Sequence, residues 1–486
     1  GKNSKFAGYE MSDDRQYVMD VKLKKYILAL GVCCMAGAMP LFAQESNSEL
    51  TEAQRELQGY MDEGLVKFKS DNDKFSFRVG GRVAIDGAHY IDDYTDRGSG
   101  AKFSAARIRI ISKIGSKVDM KLDVDFASKN WLKDAYLRWH TNKNGFLRVG
   151  NFAEPFSAEN IQSTMDYPFI NKSATVAALG TGRAIGVSYR YYHKYFWAEG
   201  GVFSQKFSNP TEVVKGGDMG YALSARLLGR VSGDDWAFHA GGSVNYGRPD
   251  ANGFTNGSDD YNRTVTLSSN LESCVDNTKF LNATINNVKT GLKFGAEVMA
   301  SYKKVYVKGE WLHADYVRER DWDYNFTASL GTLLSTMFPT LSAYQGLMGV
   351  DQNAKFYGYT VEAGFMILGK NYRYNSVEAL MNRPKGKSLE VVARFNHTDL
   401  NDIMAGHMFY GGKFYSSTLH QSFGVADQSV IGGKADTFTL GVNYYVTDNI
   451  VARLNYSYQK LNQEYTKEFM LDKNLHSIQA RVAFEF

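Results

Sequence analysis

Arginine and lysine recur at even spacings in several short segments, which puts them on one face of an extended strand. Arg78 and Arg82 share such a face, as do Arg107 and Arg109, and Lys121, Arg138 and Arg148 follow in later segments. Cations fixed on one face of a sheet attract anions without a cofactor, and a guanidinium grips an oxyanion through paired donors. Ser163 and Thr164, in a stretch of small and polar residues, add hydroxyl donors. Motifs for bond-making chemistry do not accompany them. The sequence has no His-Glu-x-x-His, Walker A loop, Cys-x-x-Cys or Gly-x-Ser-x-Gly, and Gly180-Thr181-Gly182 fails the dinucleotide pattern because Ile185 stands where the third glycine belongs. The chemistry on offer is binding, with no catalytic residue, cofactor or metal expected.

The elements that must carry these side chains read as strands. Phe75, Phe77, Val79, Val83 and Ile85 oppose Ser76, Arg78, Arg82 and Asp86; Met120, Leu122, Val124 and Phe126 oppose Asp119, Lys121, Asp123 and Asp125. Ala452, Leu454, Tyr456 and Tyr458 oppose Arg453, Asn455, Ser457 and Gln459 in the same way. The composition agrees: the 486 residues include 46 Gly, 31 Tyr and 30 Phe but only 7 Pro, a mixture that favours strands. Hydrophobic residues at 44% allow a folded chain, and a mean hydropathy of −0.36 is too polar for a helical membrane bundle. A balance of 56 basic to 52 acidic residues gives +4, which argues against a nucleic-acid partner.

Alternation alone does not separate a soluble sandwich from a barrel in lipid. Three features favour the barrel. Ile478, Ala480, Val482 and Phe484 alternate up to the terminal Phe486; Tyr and Phe cluster at strand ends, as in Tyr189 to Phe196; and tight turns such as Asp448-Asn449 contrast with long connections near 248–289, 319–353 and 400–433. Strand starts fall near Lys74, Lys102, Lys117, Trp131, Gly145, Arg183, Lys194, Asp218, Asp234, Thr290, Lys303, Ala354, Lys387, Lys434, Asn449 and Asn474. The expected fold is therefore all-β, a transmembrane antiparallel β-barrel of about 16 strands in contact with lipid of the outer membrane of a Gram-negative bacterium. A barrel of that size encloses an aqueous channel. The uncharged stretch Asn325 to Val350 reads as an outer loop.

The beginning of the chain reads as an export signal. Lys22, Lys24 and Lys25 precede an apolar run from Tyr26 to Met39, and Leu41-Phe42-Ala43 ends at a small residue before Gln44. The expected organisation is an upstream extension over 1–18, a signal peptide over 19–43, a periplasmic N-terminal helix and linker over 44–70, and the barrel over 71–486 with an inward loop at about 153–182. The helix rests on the spacing of Leu50, Ala53, Leu57 and Tyr60, with Thr51 and Gln54 as a capping box; a coiled-coil element and a solvated arm both fit it. Cleavage after Ala43 would remove Cys33 and Cys34 and leave Cys274 alone.

Several segments resemble one family. Phe75-Ser76-Phe77-Arg78-Val79-Gly80-Gly81-Arg82, Phe103 to Arg109, Lys121 to Phe126, Lys133-Asp134-Ala135-Tyr136, Arg148-Val149-Gly150-Asn151-Phe152 and Pro155-Phe156-Ser157 follow the order of the phosphate-selective porin O and P family, and Thr439 to Tyr445 and Arg453 to Tyr456 are similar too. The resemblance implies a sixteen-stranded homotrimeric barrel whose third loop folds inward to a constriction where arginine and lysine bind phosphate. On this pattern Arg82 matches the strand-one arginine, Arg107 stands at an aromatic or arginine position, and Ser163 and Thr164 match hydroxyl donors. Two matches fail: Ser104 and Ala105 follow Phe103 where the family carries an arginine pair, and Asn160 stands in place of a lysine.

Alternation places Arg78, Arg82, Arg107, Arg109, Lys121, Arg138 and Arg148 toward the lumen, together with Lys113, Arg190, Arg226, Lys308, Arg394, Arg453 and Arg481. Asp86, Asp119, Asp123, Asp125, Asp134, Glu310, Glu390 and Glu485 face them. A basic surplus of this kind selects small anionic solutes. The expectation is a porin for passive diffusion that prefers anions, phosphate among them. Arginines that merely pair with lumen acids would give a non-selective porin; a plugged barrel displaying its loops and an outer-membrane enzyme are further readings.

Overall fold

The computed structural model describes residues 66–70, 75–91, 97–164, 166–206, 218–251, 263–318, 353–402, 409–410, 413–416, 421–424, 430–462 and 474–486. The expected upstream extension, signal peptide, N-terminal helix and Asn325–Val350 loop lie outside the described residues. The strands run in order β1 (Val66–Lys69), β2 (Phe75–Ile91), β3 (Gly100–Ile114), β4 (Val118–Asp125), β5 (Leu132–Asn142), β6 (Gly145–Ala153), β7 (Arg183–Tyr192), β8 (Phe196–Lys206), β9 (Tyr221–Ser232) and β10 (Trp236–Arg248). They continue with β11 (Val265–Ser269), β12 (Leu281–Ile285), β13 (Val288–Tyr302), β14 (Val305–Arg318), β15 (Ala354–Leu368), β16 (Tyr374–Asn375), β17 (Leu380–Met381) and β18 (Ser388–Asp402). The last are β19 (Phe409–Tyr410), β20 (Lys413–Ser416), β21 (Gln421–Gly424), β22 (Val430–Tyr445), β23 (Ile450–Leu461) and β24 (Asn474–Glu485). Two short helices, α1 (Ala158–Ile161) and α2 (Ala174–Leu179), lie between β6 and β7.

Sixteen of the strands form a closed antiparallel β-barrel: β2 to β10, β13 to β15, β18 and β22 to β24. Neighbours in sequence pair in turn, and closure comes from β2 against β24, in the register Arg82↔Glu485 and Ile91↔His476. Closure leaves no free sheet edge, which a backbone surrounded by hydrocarbon requires. The short β1 adds to β2 at Val66↔Val79. Every strand start read from the sequence falls within a few residues of an observed barrel strand.

The barrel is inverted relative to a soluble protein. Phe103, Val202, Leu227, Val298, Leu454 and Val482 stand exposed on the outside, whereas Arg82, Asp86, Arg226, Glu297, Arg394 and Asn443 are buried within. In lipid the apolar belt is where such residues belong. Trp139, Tyr195, Trp236 and Tyr302 stand exposed near the end where connections such as 193–195, 233–235 and 303–304 are shortest. Amphipathic rings there suit the membrane interface, and short turns mark the periplasmic end of an outer-membrane barrel.

Chain segments fill part of the lumen. The connection 248–289, read from sequence as an outer loop, returns inward over its described part, where β11 pairs with β12 in the register Leu267↔Ala283. Leu267, Leu271, Leu281 and Ile285 pack with Phe156, Val176 and Leu179 of the α1–α2 segment and with Leu312, Phe356 and Leu400 of the wall. Those side chains need cover from water, and the inner wall supplies an apolar patch that provides it. A second inward segment comes from the periplasmic end. The connection from β15 to β18 bends in at Gly369, where φ is +123° and a Cβ would lie 2.4 Å from Ser388 Oγ, a geometry that only glycine meets without strain. It then forms the β16–β17 hairpin, Tyr374↔Met381.

Candidate functional site

The α1–α2 segment is positioned by caps and buried ion pairs. Ser157 caps α1 by accepting from Asn160 N, and Ser173 caps α2 by accepting from Val176 N at 3.2 Å. Glu159 accepts from Ser173 Oγ at 2.6 Å and pairs with Arg394 of β18 at 3.2 Å; Arg394 reaches Glu272 of the other inward connection at 2.6 Å. Glu310 of β14 accepts from Ser157 Oγ and from Glu159 N. One wall arginine thus ties the α1–α2 segment and the 248–289 connection to the barrel, and breaking such a buried, doubly paired group would strand two carboxylates.

Against this frame the sequence candidates take distinct places. Arg82 is buried on β2, directly across from Arg107 in register, and its Nη2 donates to Thr164 Oγ1 at 2.7 Å. Its Nε has no hydrogen-bond partner among the described residues. Arg107 is held by Asp125 at 2.9 Å, and Arg109 by Asp123 at 3.2 Å and Glu485 at 3.1 Å. Lys121 binds Asp134 at 2.6 Å, Arg138 shares Asp119 with His140, and Arg148 pairs with Glu199 while its guanidinium lies 3.9 Å from the centre of the Phe152 ring. Arg78 shares the face of Arg82, nearer the periplasmic end of β2. Of the two departures from the family pattern, Ser104 donates to Asp86 at 2.9 Å and the Asn160 amide donates to Thr181 at 2.9 Å.

The lumen charge is less one-sided than alternation implied. Glu159, Glu199, Glu272, Glu297 and Glu362 are buried carboxylates that the sequence tally lacked, each beside an arginine or lysine. Arg82 differs from Arg107, Arg109, Arg138 and Arg148 in that no carboxylate lies within ion-pair distance of it among the described residues.

Two chambers lie open among the described residues that carry candidate side chains. The upper, about 450 Å³, is lined by Glu154, Thr181, Arg183, Asn245, Asp250 and Lys293. The lower, about 190 Å³, is lined by Lys121, Asp134, Arg148, Ser163, Arg183 and Arg190, with the β16–β17 hairpin on one side. Arg183 lines both, and Asp134 holds its guanidinium at 2.8 Å. The structure thus gathers Lys121, Arg148 and Ser163 around one chamber and joins Arg82 to Thr164; Arg78, Arg82, Arg107, Arg109, Arg138 and Thr164 line neither chamber.

Sequence reading passed over Arg183 because alternation back from Ile185 points it outward. It is the first residue of β7, where the chain has just left the inward segment. Lys172, between the helices, was also missed; it donates to Asn160 O at 3.3 Å and Oδ1 at 3.2 Å, and burial pushes its ammonium down to about 8 against the pull of Glu159. Burial raises the carboxyls of Glu154, against bonds from Ser224 and Asn245, and of Asp166, against the charge of Arg383.

Residues 77–486 match the model of a family described as phosphate-selective porin O and P. No curated protein matches the chain at a significant level. Among solved structures it is similar to OmpT, an outer membrane protein of Vibrio cholerae, at 12% identity and a TM-score of 0.46 over 86% of this chain and 99% of that one. It is similar to the outer membrane channel DcaP of Acinetobacter baumannii at 13% identity and 0.47, over 86% and 99%, and to an anion-selective porin from Comamonas acidovorans at 10% and 0.42, over 85% and 100%. At these values the likenesses add no weight to the choice of solute.

Proposed function

Because the chain belongs to the phosphate-selective porin O and P family and forms an outer-membrane β-barrel channel, we propose that it passes small solutes passively and prefers anions. The observation that carries the preference is Arg82. It is buried, lies among Arg107, Arg109 and Arg481 with Glu485 across from it on β24, donates to Thr164 on the inward segment, and keeps an Nε without a partner among the described residues. An oxyanion passing there would accept from the guanidinium and from the Thr164 hydroxyl, with Ser163 beside it. Arg107, Arg109, Lys121, Arg138 and Arg148 act through the field of the wall, since each is already paired. Phosphate is a candidate solute held weakly, because Ser104 and Asn160 offer no cation where the family pattern has them. The assembly expected from the family resemblance is a homotrimer.

The filled side of the lumen favours one second reading, a plugged barrel that displays its long loops. Two chambers that share Arg183 in their linings speak for the channel. Planar-bilayer recording of the purified full chain separates the two: stepwise conductance that falls on titrating phosphate at fixed chloride supports the anion channel, and no conductance at any protein concentration supports the plugged barrel.

A further inference from the structure

The lower chamber owes part of its charge to an element that is not part of the wall. Glu378 sits at the tip of the β16–β17 hairpin, in the connection that enters from the periplasmic end. Its carboxylate accepts from Arg190 Nη1 at 2.7 Å, and its side chain, 40% exposed, lines the chamber with Lys121, Arg148 and Arg183. Arg190 itself is 3% exposed and also pairs with Glu199 on the wall at 2.8 Å. Burial opposes ionisation of Glu378 and Arg190 overrides it, holding the carboxyl below the usual range. The position of Glu378 on Arg190 is therefore a bound-anion position, filled by a carboxylate that the chain carries in on a tether.

We propose that Glu378 is an internal competitor that sets how tightly the lower chamber holds a permeating oxyanion: the solute displaces its carboxylate from Arg190, and the carboxylate returns to release the solute. The inference rests on the anion-preferring reading above. Displacement is feasible because the hairpin does not depend on Glu378. Trp197 Nε1 donates to Val377 O at 2.8 Å, Arg226 to Ala379 O at 3.2 Å, Arg230 to Ser376 O, and Arg383 bridges to Glu485 at 2.7 Å. A tethered competitor keeps affinity low enough for flux, as a channel needs sites weak enough to leave.

The test is phosphate block of single channels formed by the full chain, comparing E378Q with the unaltered protein at fixed KCl. Loss of one charge-assisted contact to Arg190 predicts half-block at about tenfold lower phosphate. E378D, which keeps the charge, should restore the original value, and E378A should move block in the direction of E378Q. Asp250→Asn removes an equal charge from the upper chamber and should change half-block by less than about twofold; a shift as large as that of E378Q would mean net charge alone and overturn the proposal. Unchanged block in E378Q and E378A, in a channel that remains anion-selective, overturns the competitor only. A channel that is cation-selective with and without the substitution overturns both readings.

Discussion

Replacing Arg82 by Gln removes the one lumen guanidinium on the Arg82–Arg107 level that no described carboxylate holds. The size of the effect follows from Coulomb's law. An anion about 4 Å from one cation gains about 1 kcal/mol in water and about 4 kcal/mol at an effective dielectric near 20. A wet but walled lumen lies between these limits, so a loss of about 2 kcal/mol, or roughly thirtyfold in anion affinity, is expected. Arg107→Gln is the comparison: its guanidinium is engaged by Asp125 at 2.9 Å, so it loses field but no free donor, and a smaller shift is expected. Half-blocking phosphate concentration in planar bilayers reads the difference, and heat-dependent migration of the barrel on gels verifies folding. Equal effects of R82Q and R107Q, or no effect of R82Q, would refute the assignment of Arg82 as the open anion contact.

Three other outcomes follow from the same geometry. Exchanging Arg107 and Arg109 for Glu would place two carboxylates beside Asp123, Asp125 and Glu485, and the reversal potential in a KCl gradient should move toward cations; an unchanged potential would take both arginines out of the pathway. The preference for anions should strengthen as pH falls: Lys172 loses its proton as pH rises through about 8, and Glu154 and Asp166, with raised carboxyls, take up protons before ordinary carboxylates on acidification. Reversal potentials at pH 5, 7 and 9 check the sign, and a preference that grows with pH would contradict it. Arg394→Met should destabilise the barrel by about 3–5 kcal/mol by stranding Glu159 and Glu272. Urea unfolding measures this, and a loss under 1 kcal/mol would show that the α1–α2 segment and the 248–289 connection are held elsewhere.

Legibility in the sequence followed periodicity. Wherever two surroundings face a strand, as for β23 with Leu454 outside and Arg453 inside, alternation fixes both the element and its faces. Chain segments that enter the lumen obey no such period. Leu267, Leu271, Phe280 and Ile285 lie among Asn, Ser and Thr and read as a loop, because their apolar cover is the inner wall and the α1–α2 segment, known only once the barrel closes. The same holds for Glu159, Glu272 and Glu378, whose partners Arg394 and Arg190 are distant in sequence. Glu199 on β8 is followed by Gly200 and Gly201, which interrupt the alternation that would have assigned its face. The candidate arginines were legible as residues on a face; that Arg107, Arg109, Arg138 and Arg148 are each held by a neighbouring carboxylate was not.

The most direct test of the central claim is the reversal potential of single channels of the unaltered protein under a KCl gradient at neutral pH. An anion-preferring lumen built around Arg82 predicts a potential on the chloride side of zero, moving toward zero as added phosphate occupies the site. A potential on the potassium side would contradict the account, since the cations of the wall would then be fully offset by the carboxylates that pair with them.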